Sequence, residues 1–212
     1  FWETIYMTLV STALGYAIGL PLGVTLAVTG KGGIRENKVV YRILDVISNV
    51  IRSIPFLILL ILIIPLTRFL VGKSYGSSAT IVPLVIAAAP FIARMVESSL
   101  QEVDEGVIEA AKSMGAGTWT IIFRVLLVEA RTSLIVGVTI ALGTILGYSA
   151  MAGVVGGGGL GDIAIRYGYY RYQTDIMVVT IVILVLIVQV LQALGNPDRL
   201  RYLLLSAGIK RV

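Results

Sequence analysis

The sequence contains no cysteine and no histidine. That removes a disulfide framework, a thiolate nucleophile, an imidazole base and a zinc site of the usual kinds. Charge is scarce too. Lys and Arg number 17 and Asp and Glu 12, so 14% of the 212 residues are charged, against about 25% in soluble domains. A disordered chain and an ordinary water-soluble enzyme are both excluded. A nucleotide-binding loop is also missing. Gly156, Gly158 and Gly161 fit G-x-G-x-x-G, but they end a hydrophobic run and follow no strand. Gly72, Lys73 and Ser74 match only the end of a Walker A motif, whose first glycine would fall on Thr67. What the chain has in excess is apolar surface: 57% of residues are hydrophobic and the mean hydropathy is +0.94. This is the composition of one lipid-embedded domain. The net charge of +5 fits either a nucleic-acid binder or basic cytoplasmic loops, and the placement of the charges decides.

Five runs are free of Asp, Glu, Lys and Arg: Thr4 to Gly30, Ser53 to Thr67, Ser74 to Ala93, Thr132 to Gly161 and Ile176 to Pro197. A helix needs roughly 20 apolar residues to cross the hydrocarbon. Four runs meet this directly, and the second does if Arg68 snorkels and the helix continues to Val71. The reading is an all-α integral membrane protein of five transmembrane helices, over about 4–28, 53–71, 76–95, 132–155 and 176–195. Thirteen basic residues lie in the 31–52 loop, the 94–131 loop and the 196–212 tail, and four (Arg68, Lys73, Arg166 and Arg171) lie on the other side. The positive-inside rule then puts the N-terminus outside and the C-terminus in the cytoplasm. A nucleic-acid partner is not expected; membrane lipid is. The chain starts at Phe1 where an initiator Met would stand, so its native start is expected upstream.

Gly15, Gly19 and Gly23 line one face of the first span, and Gly143 and Gly147 repeat the spacing in the fourth. Such faces allow close helix packing. Five of the six prolines lie in or beside spans, where freed carbonyls must be satisfied by neighbouring helices or by water, so bent helices around a cavity are expected. The cluster Tyr167, Tyr169, Tyr170 and Tyr172, with Arg166 and Arg171 among the rings, admits two readings. It is an aromatic belt at the outer interface, or it is a docking surface for a partner.

The 38 residues from Arg94 to Arg131 exceed what a hairpin requires. Within them Val107, Ile108, Ala111 and Met114 recur with helical spacing. Asp104 suits an N-cap, and Gly115 or Gly117 a stop. A helix of about ten residues, roughly 15 Å long, follows. So short a helix is marginal alone in water and needs a surface for its apolar stripe, whether lipid, this bundle or another protein.

Glu109, Ala110, Ala111, Gly115, Ile121 and the stretch Leu126 to Ala130 resemble the EAA loop of the inner-membrane permeases of ATP-binding-cassette importers. Val128 stands where the family pattern usually has Pro. IRSIPFLILLILIIPLT (51–67), APFIARMVE (89–97) and LGYSAMAGVVGGGGLG (146–161) are similar to the methionine-importer permeases within that family. The resemblance covers residues 1–195 as a transmembrane domain with its cytoplasmic loop at 94–131, and leaves 196–212 as a cytoplasmic tail. It implies a non-catalytic subunit that holds no cofactor, with ATP and Mg bound by a separate ATPase. It further implies two copies of this permease, two copies of the ATPase, an extracytoplasmic substrate-binding protein, and a bacterial inner membrane.

The resemblance makes Glu109, Ala110, Ala111 and Gly115 the coupling element. It places Tyr148, Ser149 and Met151 in the translocation pathway, as a weak substrate site or gate. The residues themselves equally allow Ser149 to bond its own helix backbone and Met151 to pack. Arg52 and Arg94, at cytoplasmic ends, read as snorkelling or as pathway groups. Methionine, in both enantiomers by the family's pattern, is the implied cargo, moved by alternating access. An importer of another small amino acid or organic solute is the first alternative, because the EAA loop reports on the motor. An ion-coupled carrier or channel is the alternative from another class. It lacks intramembrane carboxylates for a proton relay and shows no inverted repeat.

Overall fold

The computed structural model describes residues 1–195, and every described element is a helix or a helical turn. The tail expected at 196–212 lies outside the described residues. Four helices are long and apolar enough to cross a membrane: α1 (Trp2–Thr29), α5 (Ser77–Gln101), α9 (Arg131–Met151, extended to Val155 by a 3-10 turn) and α11 (Thr174–Gly195). Between them lie α2 (Lys38–Ser53), α3 (Phe56–Leu62), α4 (Ile64–Val71), α6 (Glu105–Ser113), α7 (Thr118–Ile121), α8 (Leu127–Glu129) and α10 (Gly159–Ile163).

The core is built on α5, which α1 flanks along most of its length. The glycine face of α1 is the reason. Gly15 lies on Ala88 and Ile92, Gly19 on Ala89 and Ile92, and Gly23 on Ala93 and Val96. Both sets of numbers rise together, so α1 and α5 run parallel. A Cβ on Gly19 would fall 2.7 Å from the Ala89 carbonyl oxygen and 2.8 Å from Ile92 Cβ. In lipid, where apolar burial gives no extra drive to helix association, this backbone proximity supplies the dispersion energy that does. α5 carries Pro83 and Pro90 without ending, and both are buried against neighbouring elements, the setting in which a transmembrane helix tolerates proline.

The expected second span over 53–71 does not form as one helix. Residues 56–71 make two short helices broken at Ile63, whose φ of −95° and ψ of 9° leave the helical range. Pro65 explains the break: its ring excludes the amide hydrogen bond that a continuous helix would send back to Ile61. The preceding segment, expected as a loop from Lys31 to Arg52, is mostly the helix α2. It meets α3 at 100° across Ile54 and Pro55, and only this bent pair taken together would make a fifth span. Asn37 caps α2, its side chain accepting from the Val39 and Val40 amides at 3.1 Å. α2 is three-sided. Leu44, Ser48 and Ile51 turn inward, Val39, Ile43, Val46, Ile47 and Val50 are exposed, and Arg42, Asp45, Asn49 and Arg52 form a polar edge.

A second correction concerns Arg94. α5 continues past it to Gln101, so the 94–131 segment begins as helix. Arg94 does not snorkel. Its Nη1 donates to Glu97 Oε2 at 2.6 Å and its Nη2 to Asp45 Oδ1 of α2. Asn49 Nδ2 donates to the same Asp45 oxygen at 3.1 Å. Glu97 is only 4% exposed, so a charge lies inside the helix bundle where none was expected. It is tolerated because the guanidinium engages both carboxylates.

The glycine run closes the end of the bundle where α1 starts. Gly159 N–H donates to Glu3 Oε2 at 2.7 Å and Leu160 N–H to Thr4 Oγ1 at 2.8 Å, so α1 caps α10. Gly76 N–H donates to the Gly156 carbonyl at 2.9 Å, and Thr80 Oγ1 to the Gly157 carbonyl at 3.2 Å, which adds α5 to the latch. Gly159, at φ +77°, would bring a Cβ within 2.6 Å of Thr4 Oγ1. These glycines permit close approach of three chain segments; they cradle no phosphate.

Candidate coupling and translocation surfaces

α6 follows the far end of α5, so it sits at the end of the bundle opposite the glycine latch. Its start is fixed by Asp104, whose Oδ1 accepts from the Gly106 amide at 2.7 Å. Glu105 in the first turn and Lys112 in the last complement the helix dipole. Its end is a Schellman motif: Ala116 N–H reaches the Ala111 carbonyl at 3.1 Å, and Gly115 N–H the Lys112 carbonyl at 2.9 Å. The motif needs a left-handed residue, and Gly115 supplies it at φ +79°. Nothing lies within 4 Å of where its Cβ would stand, so here glycine is required by conformation and not by space.

The expected apolar stripe is divided between two directions. Ala111 is buried, and Ile108 packs with it against the core formed by Ile121, Ile122 and Leu126. Val107 is exposed and Met114 is 81% exposed. Glu109, Ala110 and Gly115 are exposed as well, so the four residues expected to form the coupling element share one short helix and its cap, with Ala111 as the anchor. The segment after α6 is not a loop. α7, a π-helical turn over Ile122–Leu126 and α8 carry the chain almost without interruption into α9. Trp119 and Phe123, 72% and 59% exposed, stack there with centroids 6.0 Å apart. Sequence reasoning missed them, although their i, i+4 spacing was a visible signal. A groove of about 500 Å³ runs beside α6 between the end of α5 and the start of α9, lined by Ser99, Asp104, Val107, Glu129 and Ser133 among others. Ser99 and Ser133 hydroxyls meet across it at 2.9 Å.

The three residues of the other expected site have different surroundings within this chain. Tyr148 stacks on Phe56 of α3, with centroids 4.5 Å apart and rings 5° from parallel. Ser149 is buried and donates to the Leu146 carbonyl at 2.8 Å, which is the backbone-bonding alternative. Met151 is 50% exposed, so it neither packs nor joins the other two. Arg52 stays exposed on the polar edge of α2.

These features define a class: a polytopic helical membrane protein with a stiff parallel core and one capped, half-buried helix presented at a single end. The sequence profile of the family described as binding-protein-dependent transport system inner membrane component matches residues 19–199. The chain belongs to that family. It is 52% identical over 195 residues to a probable D-methionine transport system permease protein MetI of Vibrio cholerae, covering 92% of this chain and 87% of the relative. It is 48% identical over 195 residues to the methionine import system permease protein MetP of Bacillus subtilis, covering 92% and 88%. Its fold matches a chain in a solved structure described as inward facing conformations of the MetNI methionine ABC transporter. That match has a TM-score of 0.91 at 48% identity, and covers 99% of this chain and 94% of the other.

Proposed function

We propose that this chain is the permease subunit of an ATP-driven importer that moves methionine, in D and L forms, across the bacterial inner membrane by alternating access. The observation that carries the proposal is the fold match across 99% of the chain to a permease of a methionine ABC transporter. Residues 1–195 act as the transmembrane domain, with the start of α1 outside and the segment from Asn196 cytoplasmic. Two copies form the pathway, two ATPase subunits bind the α6 end, and an extracytoplasmic binding protein delivers the cargo at the latch end.

In this account α6 is the coupling helix. Ala111 and Ile108 root it in the bundle while Glu109, Ala110 and the Gly115 turn face the ATPase, so closure of the motor moves α6, α7 and α9 together. The parallel α1–α5 seam moves as one body, and the break at Ile63 and the bend at Ile54 and Pro55 are where the bundle changes shape. Likeness to a chain from an inward-facing transporter supports an inward-facing state here. Tyr148, with its ring stacked on Phe56 beside that bend, is the gate residue of the three expected pathway groups. Ser149 and Met151 shape the helix around it.

The test is uptake by the permease, ATPase and binding protein reconstituted together. Methionine should compete with labelled methionine in both enantiomers, while other small amino acids should not. Uptake of another solute in preference would reassign the cargo and leave the importer class in place.

A further inference from the structure

Helix α2 is attached to the rest of the bundle by little. Ser48 is its one buried residue, and Val39, Ile43, Val46, Ile47 and Val50 are each at least half exposed. It joins α3 only through the 100° bend at Ile54 and Pro55. Among the described residues, Arg94 of α5 is the one side chain of another helix that hydrogen-bonds to it. The ion pair therefore carries much of what fixes α2 against α5.

That pair is arranged so that either helix can release it. Arg94 Nη2 donates to Asp45 Oδ1 across the gap, while Nη1 donates to Glu97 Oε2, three residues along its own helix, at 2.6 Å. Asp45 in turn accepts from Asn49 Nδ2, four residues along α2, at 3.1 Å. Each ion thus has one partner across the gap and one on its own helix. If α2 withdraws, Arg94 keeps Glu97, and Asp45 keeps Asn49 and gains water, to which 29% of its side chain is already open. No buried charge is stranded, which is the event that makes breaking an ordinary buried pair so costly. Staying closed carries a penalty as well. Arg94 Nε is buried with no acceptor among the described residues, and water would satisfy it once α2 moved away.

We infer that Arg94 is a positioning residue of the transport cycle: its bridge to Asp45 is a reversible clasp that holds α2 against α5 in the inward-facing state and opens when that state is left. This rests on the proposed alternating access and names a contact exchanged in it. A static brace is the competing role for the same residues. A brace gains nothing from same-helix substitutes, and a polar network built for rigidity satisfies its buried donors. Two arrangements close in energy are what a motor-driven change needs, because a small bias then shifts the population.

The chain holds no cysteine, so V46C on α2 and S98C on α5, both at exposed positions, are its only labelling sites. Spin labels there report the α2–α5 distance in the permease–ATPase complex in lipid nanodiscs, with single-label samples identifying distances between copies. The distance is measured without nucleotide, and again with ATP held by a hydrolysis-deficient ATPase in the presence of the binding protein. We expect it to grow by about 5 Å, one helical turn, between the two conditions. D45N weakens the bridge by removing its anion, and R94K keeps a cation for Glu97 but loses the fork that engages two carboxylates at once. Both should show the longer distance already without nucleotide, with an open fraction about tenfold above wild type, and both should import less methionine per ATP. A wild-type distance that is the same in both conditions overturns the inference. So do D45N and R94K variants whose nucleotide-free distance matches wild type, even where their thermal midpoint falls, since that is the behaviour of a static brace. In those cases import by the wild-type complex leaves the proposed function standing. A wild-type complex that hydrolyses ATP and imports no methionine overturns the proposed function and the clasp with it.

Discussion

Replacing Gly115 isolates the conformational requirement of α6, the proposed coupling helix. At φ +79° with open space around the missing Cβ, a substitution meets no atom of this chain, so its cost is the left-handed backbone alone. That cost is roughly 1–2 kcal/mol for an ordinary L residue, greater for a β-branched one and smaller for Asn. Since about 1.4 kcal/mol is a factor of ten in an equilibrium constant, Gly115→Ala should cut the correctly ended fraction of α6 several-fold and Gly115→Val by about tenfold or more. Gly115→Asn should stay near wild type. The assay is methionine imported per ATP hydrolysed in proteoliposomes, with the thermal midpoint as control. The midpoint should fall by about 2–8 °C for that 1–2 kcal/mol cost, because ~1 kcal/mol shifts a chain of this size by about 2–4 °C. Loss of coupling should follow Val, then Ala, then Asn. If Asn is as damaging as Val, the partner's groove and not the turn sets the requirement. If Val couples normally, α6 is not the coupling element.

Five other substitutions probe the fold. Gly19→Val should lower the thermal midpoint of the detergent-solubilised permease, since it forces a Cβ to within 2.7 Å of the Ala89 carbonyl, an overpacking cost of about 1–3 kcal/mol. Gly147→Ala, with nothing within 4 Å, should leave it unchanged. Arg94→Ala strands Glu97, which is 4% exposed, and should destabilise by about 3 kcal/mol. Asp45→Asn, on a more exposed partner, should cost less in the same melt; equal losses would mean the cluster does not depend on burial. Glu3→Ala removes the acceptor 2.7 Å from the Gly159 amide, at about 1–2 kcal/mol. Hydrogen exchange should then speed up at residues 156–161 and not in α6, and uniform acceleration would show that the latch is not a local unit.

Much of this architecture could be read from the order of residues. The four long spans follow from charge-free length, the packing face of α1 but not its partner from glycines four apart, and both ends of α6 from Asp104 and Gly115. Each is a local rule acting within a few residues. The helix α2 was missed because a search for charge-free runs discards a helix whose charges are satisfied elsewhere. α2 carries Arg42, Asp45 and Arg52, and the partner that accommodates Asp45 is Arg94, 49 residues away. The glycine run illustrates the same limit. Its spacing imitates a phosphate motif, and only the approach of Glu3, Thr4 and Thr80 shows why side chains are absent. Tyr148, Ser149 and Met151 are neighbours in sequence, but one turn of helix sends them to different surroundings. The helix α6 was legible, while its aromatic neighbours Trp119 and Phe123 were hidden in a segment read as loop.

In the proposed cycle this permease does no work of its own and is moved through α6 by a separate ATPase. The direct measurement is methionine accumulation in proteoliposomes holding the permease with and without the ATPase and binding protein, with ionophores added to collapse ion gradients. Accumulation is expected only when ATPase, ATP and binding protein are all present, at a rate the ionophores do not change. Accumulation by the permease alone, or uptake that stops with the gradients, would contradict it.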